Sequence, residues 1–255
     1  MKERSRRGIR LLLVLLLLGS GGWLLWQELD RVQGRRDYEQ AVQIAGAAPA
    51  TSAPVSDELR DPWVEVLAQV DLAGLREVNS DVIAWIMIPG TDLSYPVLQG
   101  GDNSFYLNHT WTGERSAVGA VFMECECAPD FSGFNTIVYG HRMNNESMFG
   151  ILHGYQEKAF QEEHPDIYVA DESAVRRYEV FAAHEVGVRE IVYRLDIEEK
   201  GLEQEFIDFC LERSQIDAGA VPAAEDQVIT LSTCMARGHA TRWVVQAVLR
   251  EELAR

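Results

Sequence analysis

From Val82 to Leu249 the apolar residues of this chain fall into short runs separated by turn residues, and a helical period interrupts them only twice. "VIAWIMI" and "LSYPVL" flank a "PGTD" turn. "AVGAVFM", "NTIVYGH", "IYVA", "AVRRYEVFAAHEV", "IVYRL", "QVITLSTC" and "TRWVVQAVLREEL" follow, rich in β-branched and aromatic residues. One helical exception is "SMFGILHGYQEKAFQEEH", starting at Ser147 with Phe149, Leu152 and Tyr155 at spacing three. The other is "GLEQEFIDFCLERSQ", with Leu202, Phe206, Phe209 and Cys210 on one stripe. Many short strands with few helices bury their apolar faces by closing a sheet on itself. The predicted fold is therefore mainly β, a closed or nearly closed β-barrel, with one long helix inserted before the "QVITLSTC" strand. Ahead of the barrel, Asp61 before Pro62 is an N-cap followed by proline at the first helical position. Val66, Val70, Leu72 and Leu75 then fit one or two short N-terminal helices.

The N-terminus obeys a different rule. Lys2, Arg4, Arg6, Arg7 and Arg10 precede an uncharged stretch from Leu11 to Trp26. Such a stretch rises about 24 Å as a helix, a little short of a bilayer core of about 30 Å. Ile9 and the stem of Arg10 extend it, and Trp23 and Trp26 sit where an interfacial aromatic belt is wanted. A cleavable signal peptide is the rival, but neither an Ala-x-Ala site close behind the apolar stretch nor a lipobox cysteine follows. The reading is an uncleaved anchor in a single-pass cell-membrane protein. Residues 1–10 form a cytoplasmic basic tail, 11–26 the transmembrane segment, 27–61 a juxtamembrane segment and Ala/Pro/Ser stalk, and 62–255 one folded domain outside the cell.

The chain carries a formal charge of −17, and because its first ten residues hold five bases and one acid, the remainder is more acidic still. Nucleic acid and anionic polymer surfaces need clustered Lys/Arg and are excluded as partners. Beyond solubility, the acidity has no physical account. The four cysteines do not make a disulfide framework: Cys125 and Cys127 are one residue apart, Cys210 lies in a helical pattern and Cys234 ends a strand.

Cys234 is the best placed nucleophile. Along "TLSTC", alternation puts Thr230, Ser232 and Cys234 on one face and Leu231 and Thr233 on the other. A polar face ending in a thiol is where a reactive group is presented, although a small buried thiol closing a strand is the plainer alternative. Arg242 opens a strand whose same-face residues are Val244, Gln246 and Val248. A guanidinium there cannot lose its proton and suits a carbonyl gaining negative charge; a solvated strand-start charge is the plain reading. Arg237 and His239, in the intervening loop, are rivals. Of six histidines, His141 ends "TIVYGH", just past a glycine at a strand end, as a cleft requires. His184 lies inside a strand pattern, and His109, His153 and His164 stand in helix or loop contexts. No zinc spacing occurs, and "MECECAPD" is at most a weak metal site.

Histidine, cysteine and arginine in that order, the last two at strand ends, resemble the sortases, the membrane-anchored cysteine transpeptidases of Gram-positive bacteria, and most closely their class B branch. "TLSTC" followed by "RWVV" is similar to that family's nucleophile and arginine strands, and "IVYGHRMNNESMFGILHGY" to its histidine segment. "VNSDVIAWIMIPGTDLSYPVLQGGDNSFYLNH" resembles the class B opening. The resemblance runs from about Leu72 to Leu249. It implies a sortase-like barrel that needs no cofactor, with Cys234 as nucleophile, His141 as general acid/base and Arg242 as the transition-state arginine. Ser232 and Thr233 are candidates for positioning substrate. The implied partners are secreted proteins with a C-terminal sorting motif of the Asn-Pro-x-Thr-Asn or Ser/Asn-Pro-x-Thr-Gly type, and an amine of the peptidoglycan cross-bridge or of a pilin. Two departures are visible: a short loop between Cys234 and Arg242, and "ECEC" where an Asp-Tyr-Arg-Asn-like segment often stands. The alternatives are another cell-wall cysteine enzyme and an anchored assembly domain with a decayed site. The Ser-x-Gly-Cys segment of L,D-transpeptidases is absent, and papain-like enzymes put cysteine before histidine.

Overall fold

The structure, a computed structural model, describes residues 2–47, 61–143, 145–234 and 241–255, with backbone only for Cys234 and for part of the first helix. That helix, α1 (Lys2–Ala45), continues through the segment "DRVQGRRDYEQAVQIA". Its last turns bury Tyr38, Ala41 and Ala45 in the main core. Among the described residues no helix is long and apolar enough to cross a membrane. Seven of the sixteen side chains of the expected anchor, Leu11–Trp26, fall outside the described residues, and the Ala/Pro/Ser segment falls mainly on residues 48–60, also outside them.

The expected cap is present, and a second one follows it. The Asp61 carboxylate accepts from the Trp63 amide at 3.0 Å and starts α2 (Pro62–Leu67). Asp71 caps α3 (Leu72–Val78) in the same way, accepting from the Gly74 amide at 2.9 Å. The strands β1 (Val82–Met87), β2 (Ser94–Leu98), β3 (Val121–Met123), β4 (Asn135–His141), β5 (Asp166–Ala170), β6 (Ala174–Gly187), β7 (Val228–Cys234) and β8 (Thr241–Ala254) then close into a barrel. Their order around it is β1-β2-β3-β4-β7-β8-β6-β5. Most neighbours are antiparallel, but β2 with β3 and β4 with β7 are parallel. The long pair β6–β8 carries two register shifts, with an extra residue at Arg250 on β8 and at Phe181 on β6, which let fourteen-residue strands bend around the barrel.

Two apolar clusters result. The larger fills the barrel with residues such as Trp85, Val97, Val138, Leu231, Val245 and Ala247. The smaller seals the outer face of β6, β7 and β8 beneath α5 (Ile197–Lys200) and α6 (Glu203–Arg213), through Phe206, Ile207, Cys210, Val228, Val244 and Val248. α6 is the long helix expected before β7.

Two elements differ from the sequence expectation. "IVYRL" is not a strand; Ile191–Tyr193 is a 3-10 turn, because the Asn135 side-chain amide captures the Val192 carbonyl at 3.1 Å and draws the segment across the sheet. The helix expected from Ser147 begins as a 3-10 turn at Gly150–Gln156 and becomes α4 only over Lys158–Glu163. The preceding residues are held otherwise: Arg142 bridges Met148, and the Phe149 amide donates to the His141 carbonyl at 2.9 Å.

Candidate active site

Register brings His141 and Cys234 together, and Arg242 opens the strand on the other side of β7. In the parallel pair β4–β7, Tyr139 stands beside Ser232 and His141 beside Cys234. Adjacent strands lie about 4.8 Å apart, so the histidine and cysteine backbones are neighbours at the ends of their strands. In the antiparallel pair β7–β8, Ser232 faces Val244. The Thr233 hydroxyl continues that register, donating to the Trp243 carbonyl and accepting from its amide, both at 3.1 Å. Cys234 and Arg242 are the next positions along the two strands, beyond the last paired residues. Along their strands Tyr139 shares the face of His141, and Val244 shares that of Arg242, two residues away in each case. Arg237 and His239 lie outside the described residues.

The imidazole of His141 is framed by backbone. Its Nε2 meets the Leu107 carbonyl at 2.5 Å. A carbonyl only accepts, so Nε2 is the donor in that bond. Gly119, at φ +65°, packs against the ring so closely that a Cβ would stand 2.5 Å from His141 Cδ2.

Arg242 is set between two aromatic rings, its guanidinium carbon 5.8 Å from the centre of Tyr139 and 5.9 Å from that of Tyr193. Each ring is tethered. The Tyr139 hydroxyl donates to the buried Glu124 carboxylate at 2.8 Å, which also accepts from Asn103. Burial, then the Glu124 charge, push the Tyr139 phenol above its ordinary range, so it stays a donor. The Tyr193 hydroxyl pairs with Ser232 Oγ at 2.8 Å. Ser232 and Thr233 are both fully buried: the first holds Tyr193, the second splices β7 to β8.

The other thiols are ill suited to nucleophilic work. Burial raises Cys125, helped by the neighbouring Glu124; it pushes Cys127 up to about 11 and Cys210 further. Among the described residues no group of three or more His, Cys, Asp or Glu is arranged to hold a metal ion. The remaining histidines are accounted for locally. His109 stacks on Phe105, His153 on Trp243, His164 bonds the Pro89 carbonyl, and His184 lies under α6 against Phe209.

The sortase domain pattern matches residues 86–250. The chain belongs to the sortase family. Sortase B of Listeria monocytogenes is 30% identical over 237 residues, 92% of each chain. Sortase B of Staphylococcus aureus is 33% identical over 160 residues, 63% of this chain and 66% of the relative. The Staphylococcus aureus sortase B–substrate complex superposes with a TM-score of 0.74 at 29% identity, covering 88% of this chain and 99% of that one. These likenesses establish a class B sortase, a cysteine transpeptidase on the sortase barrel.

Sequence reasoning missed Glu124, Leu107, Gly119, Tyr139 and Tyr193. Tyr139 had a usable signal, since it sits two residues before His141 on a strand and therefore on its face. Tyr193 was hidden by the mistaken strand, and Leu107 contributes only a backbone oxygen.

Proposed function

We propose that this sortase cleaves a C-terminal sorting signal after threonine and transfers the acyl group to an amine, with Cys234, His141 and Arg242 as its catalytic residues. The observation that supports the reading is the register of β4 and β7, which puts His141 beside Cys234, while β8 runs antiparallel to β7 from Ser232 and Val244 toward Arg242. Cys234 Sγ attacks the threonine carbonyl as its proton passes to His141. Arg242 hydrogen-bonds the oxygen that gains negative charge. The C–N bond breaks as His141 gives that proton to the departing amine, leaving a thioester. An incoming amine then attacks the thioester, loses its proton to His141, and the sulfur departs. A guanidinium held between two rings is oriented before the charge develops, so little reorganisation remains for the transition state. Ser232 and Thr233 act at one remove, through Tyr193 and the β7–β8 splice.

The substrates are secreted proteins carrying an Asn-Pro-x-Thr-Asn or Ser/Asn-Pro-x-Thr-Gly type motif, and the acceptor is an amine of the peptidoglycan cross-bridge or of a pilin. Leu11–Trp26 anchors the chain in the cell membrane with the barrel outside, where both substrates are found. The basic residues ahead of that stretch support this orientation.

The test is the intact mass of the full chain in detergent after incubation with a panel of such peptides, beside Cys234→Ala. An acyl adduct on wild type alone, discharged by hydroxylamine or a glycine peptide, is the expected result and names the motif. No adduct with any peptide, while Cys234 still reacts with a small alkylating agent, refutes the substrate class.

A further inference from the structure

We propose that Tyr38, on the N-terminal helix, is a positioning residue for His141, so that the end of α1 is part of the catalytic unit and more than its tether. The inference rests on the role given to His141 above. The Tyr38 hydroxyl, buried, donates to the Gly119 carbonyl at 2.7 Å. Gly119 is the residue that walls the imidazole, with room for no side chain between them. The next amide, that of Ala120, donates to the Tyr106 carbonyl at 2.9 Å, beside Leu107, whose own carbonyl receives His141 Nε2. The Gly119–Ala120 peptide is therefore clamped between Tyr38 and the segment that supplies the ring's hydrogen-bond acceptor.

α1 is fixed to this region at three more points. Gly34 approaches Val118 so closely that a Cβ would stand 2.8 Å from its Cγ2. Trp111 Nε1 donates to the Asp37 carbonyl at 2.6 Å. The Tyr38 ring meets Tyr95 edge-on at 5.2 Å, and the Tyr95 hydroxyl accepts from the Met148 amide at 3.1 Å. Met148 leads directly into Phe149, whose amide holds the His141 carbonyl at 2.9 Å. Tyr38 thus touches both supports of His141: the wall beside its ring and, through Tyr95, the loop that follows it.

Removing the hydroxyl leaves the Gly119 carbonyl without its donor inside the protein, and a buried carbonyl turns toward another partner. The wall of the ring moves with it. A displacement of about 1 Å in a catalytic group costs up to about 10²-fold in rate, so Tyr38→Phe, which keeps the ring and the Tyr95 contact, is expected to lower kcat about tenfold. KM is expected to stay unchanged.

The experiment compares full-length wild type, Tyr38→Phe and Gly34→Leu in detergent micelles. It reads peptide turnover, thermal melting and the imidazole resonances of nitrogen-15-labelled histidine, with His141→Gln for assignment. The expected result for Tyr38→Phe is an unchanged melting temperature, the loss in kcat alone, and displaced His141 resonances while those of His184 stay fixed. Unchanged kcat and unchanged His141 resonances would overturn the proposal. If Tyr38→Phe also melts early, Gly34→Leu decides. It pushes α1 outward at Val118 with the hydroxyl intact, and displaced His141 resonances support the link, whereas undisturbed ones refute it. If wild type turns over no peptide, the proposed function falls, while the resonances still decide whether Tyr38 positions His141.

Discussion

One face of β7 and β8 serves two purposes along its length. At the end carrying Cys234 and Arg242 it is polar and edged by backbone groups; further along, Val244 and Val248 and the start of β7 at Val228 are sealed under α6. Each half has its histidine and its thiol. His141 and Cys234 stand at strand ends, whereas His184 is buried against Phe209 and Cys210 in the cluster with Phe206 and Ile207. The same side-chain types thus meet different surroundings at a strand end and beneath a helix. A strand end supplies loops for a frame, while a strand middle supplies only neighbours.

The largest effect that separates the halves is expected from the thiols. Cys234→Ala should abolish the acyl-enzyme, whereas Cys210→Ala should leave turnover unchanged and cost about 1–2 kcal/mol of stability for the missing sulfur. Equal losses of turnover from the two variants would erase the contrast. Next comes the cation. Arg242→Lys keeps the charge but loses the planar fork that sits between Tyr139 and Tyr193. A fall of about 10²-fold in kcat is expected, read from single-turnover acylation. A lysine that acylates at the wild-type rate would mean that charge without orientation suffices.

Smaller again is the effect of closing the space beside the imidazole. Gly119→Ala places a methyl against His141 and a side chain at φ +65°, at a cost of about 1–2 kcal/mol in the left-handed region. Turnover is expected to drop about tenfold while Cys234 still alkylates, because the ring is displaced and the thiol is not. If alkylation and turnover fall together, the substitution has disturbed the whole cleft and the frame is not specific to histidine.

What the sequence revealed and what it hid divide along the same line. Period-two alternation along "TLSTC" and "TRWVVQAV" was enough to say which residues of β7 and β8 share a face, and the structure pairs them on that basis. The barrel was legible because each strand carried its own apolar pattern. The frame of His141 was not, since it is assembled from backbone atoms distant in the chain: the Leu107 carbonyl is 34 residues away, and the Tyr38 to Gly119 bond spans 81. No side-chain pattern marks a carbonyl that accepts from a histidine. "IVYRL" failed for a related reason. Its composition is that of a strand, and only the capture of Val192 by Asn135 makes it a turn that sets Tyr193 over Ser232.

The smallest expected effect tests the inert half by pH. Burial, then the positive charge of Arg213, lower the pKa of His184, opposed by its bond to the Glu185 carbonyl. Its Nε2 is buried with no hydrogen-bond partner among the described residues. In the unfolded chain the imidazole takes a proton near pH 6.5, whereas in the folded protein it resists until a lower pH. Between those two values the unfolded state binds more protons, so stability rises with pH across that window. This contribution is complete above about pH 6.5 and is lost as the pH falls toward the depressed folded value. His184→Leu, an apolar side chain under Phe209, should remove that slope and leave turnover intact. The difference between the melting temperatures of wild type and variant, followed from pH 8 to pH 5, should therefore widen in the variant's favour only on the acid side. A difference constant with pH would mean that His184 titrates alike in both states, and that α6 shields it less than its packing implies.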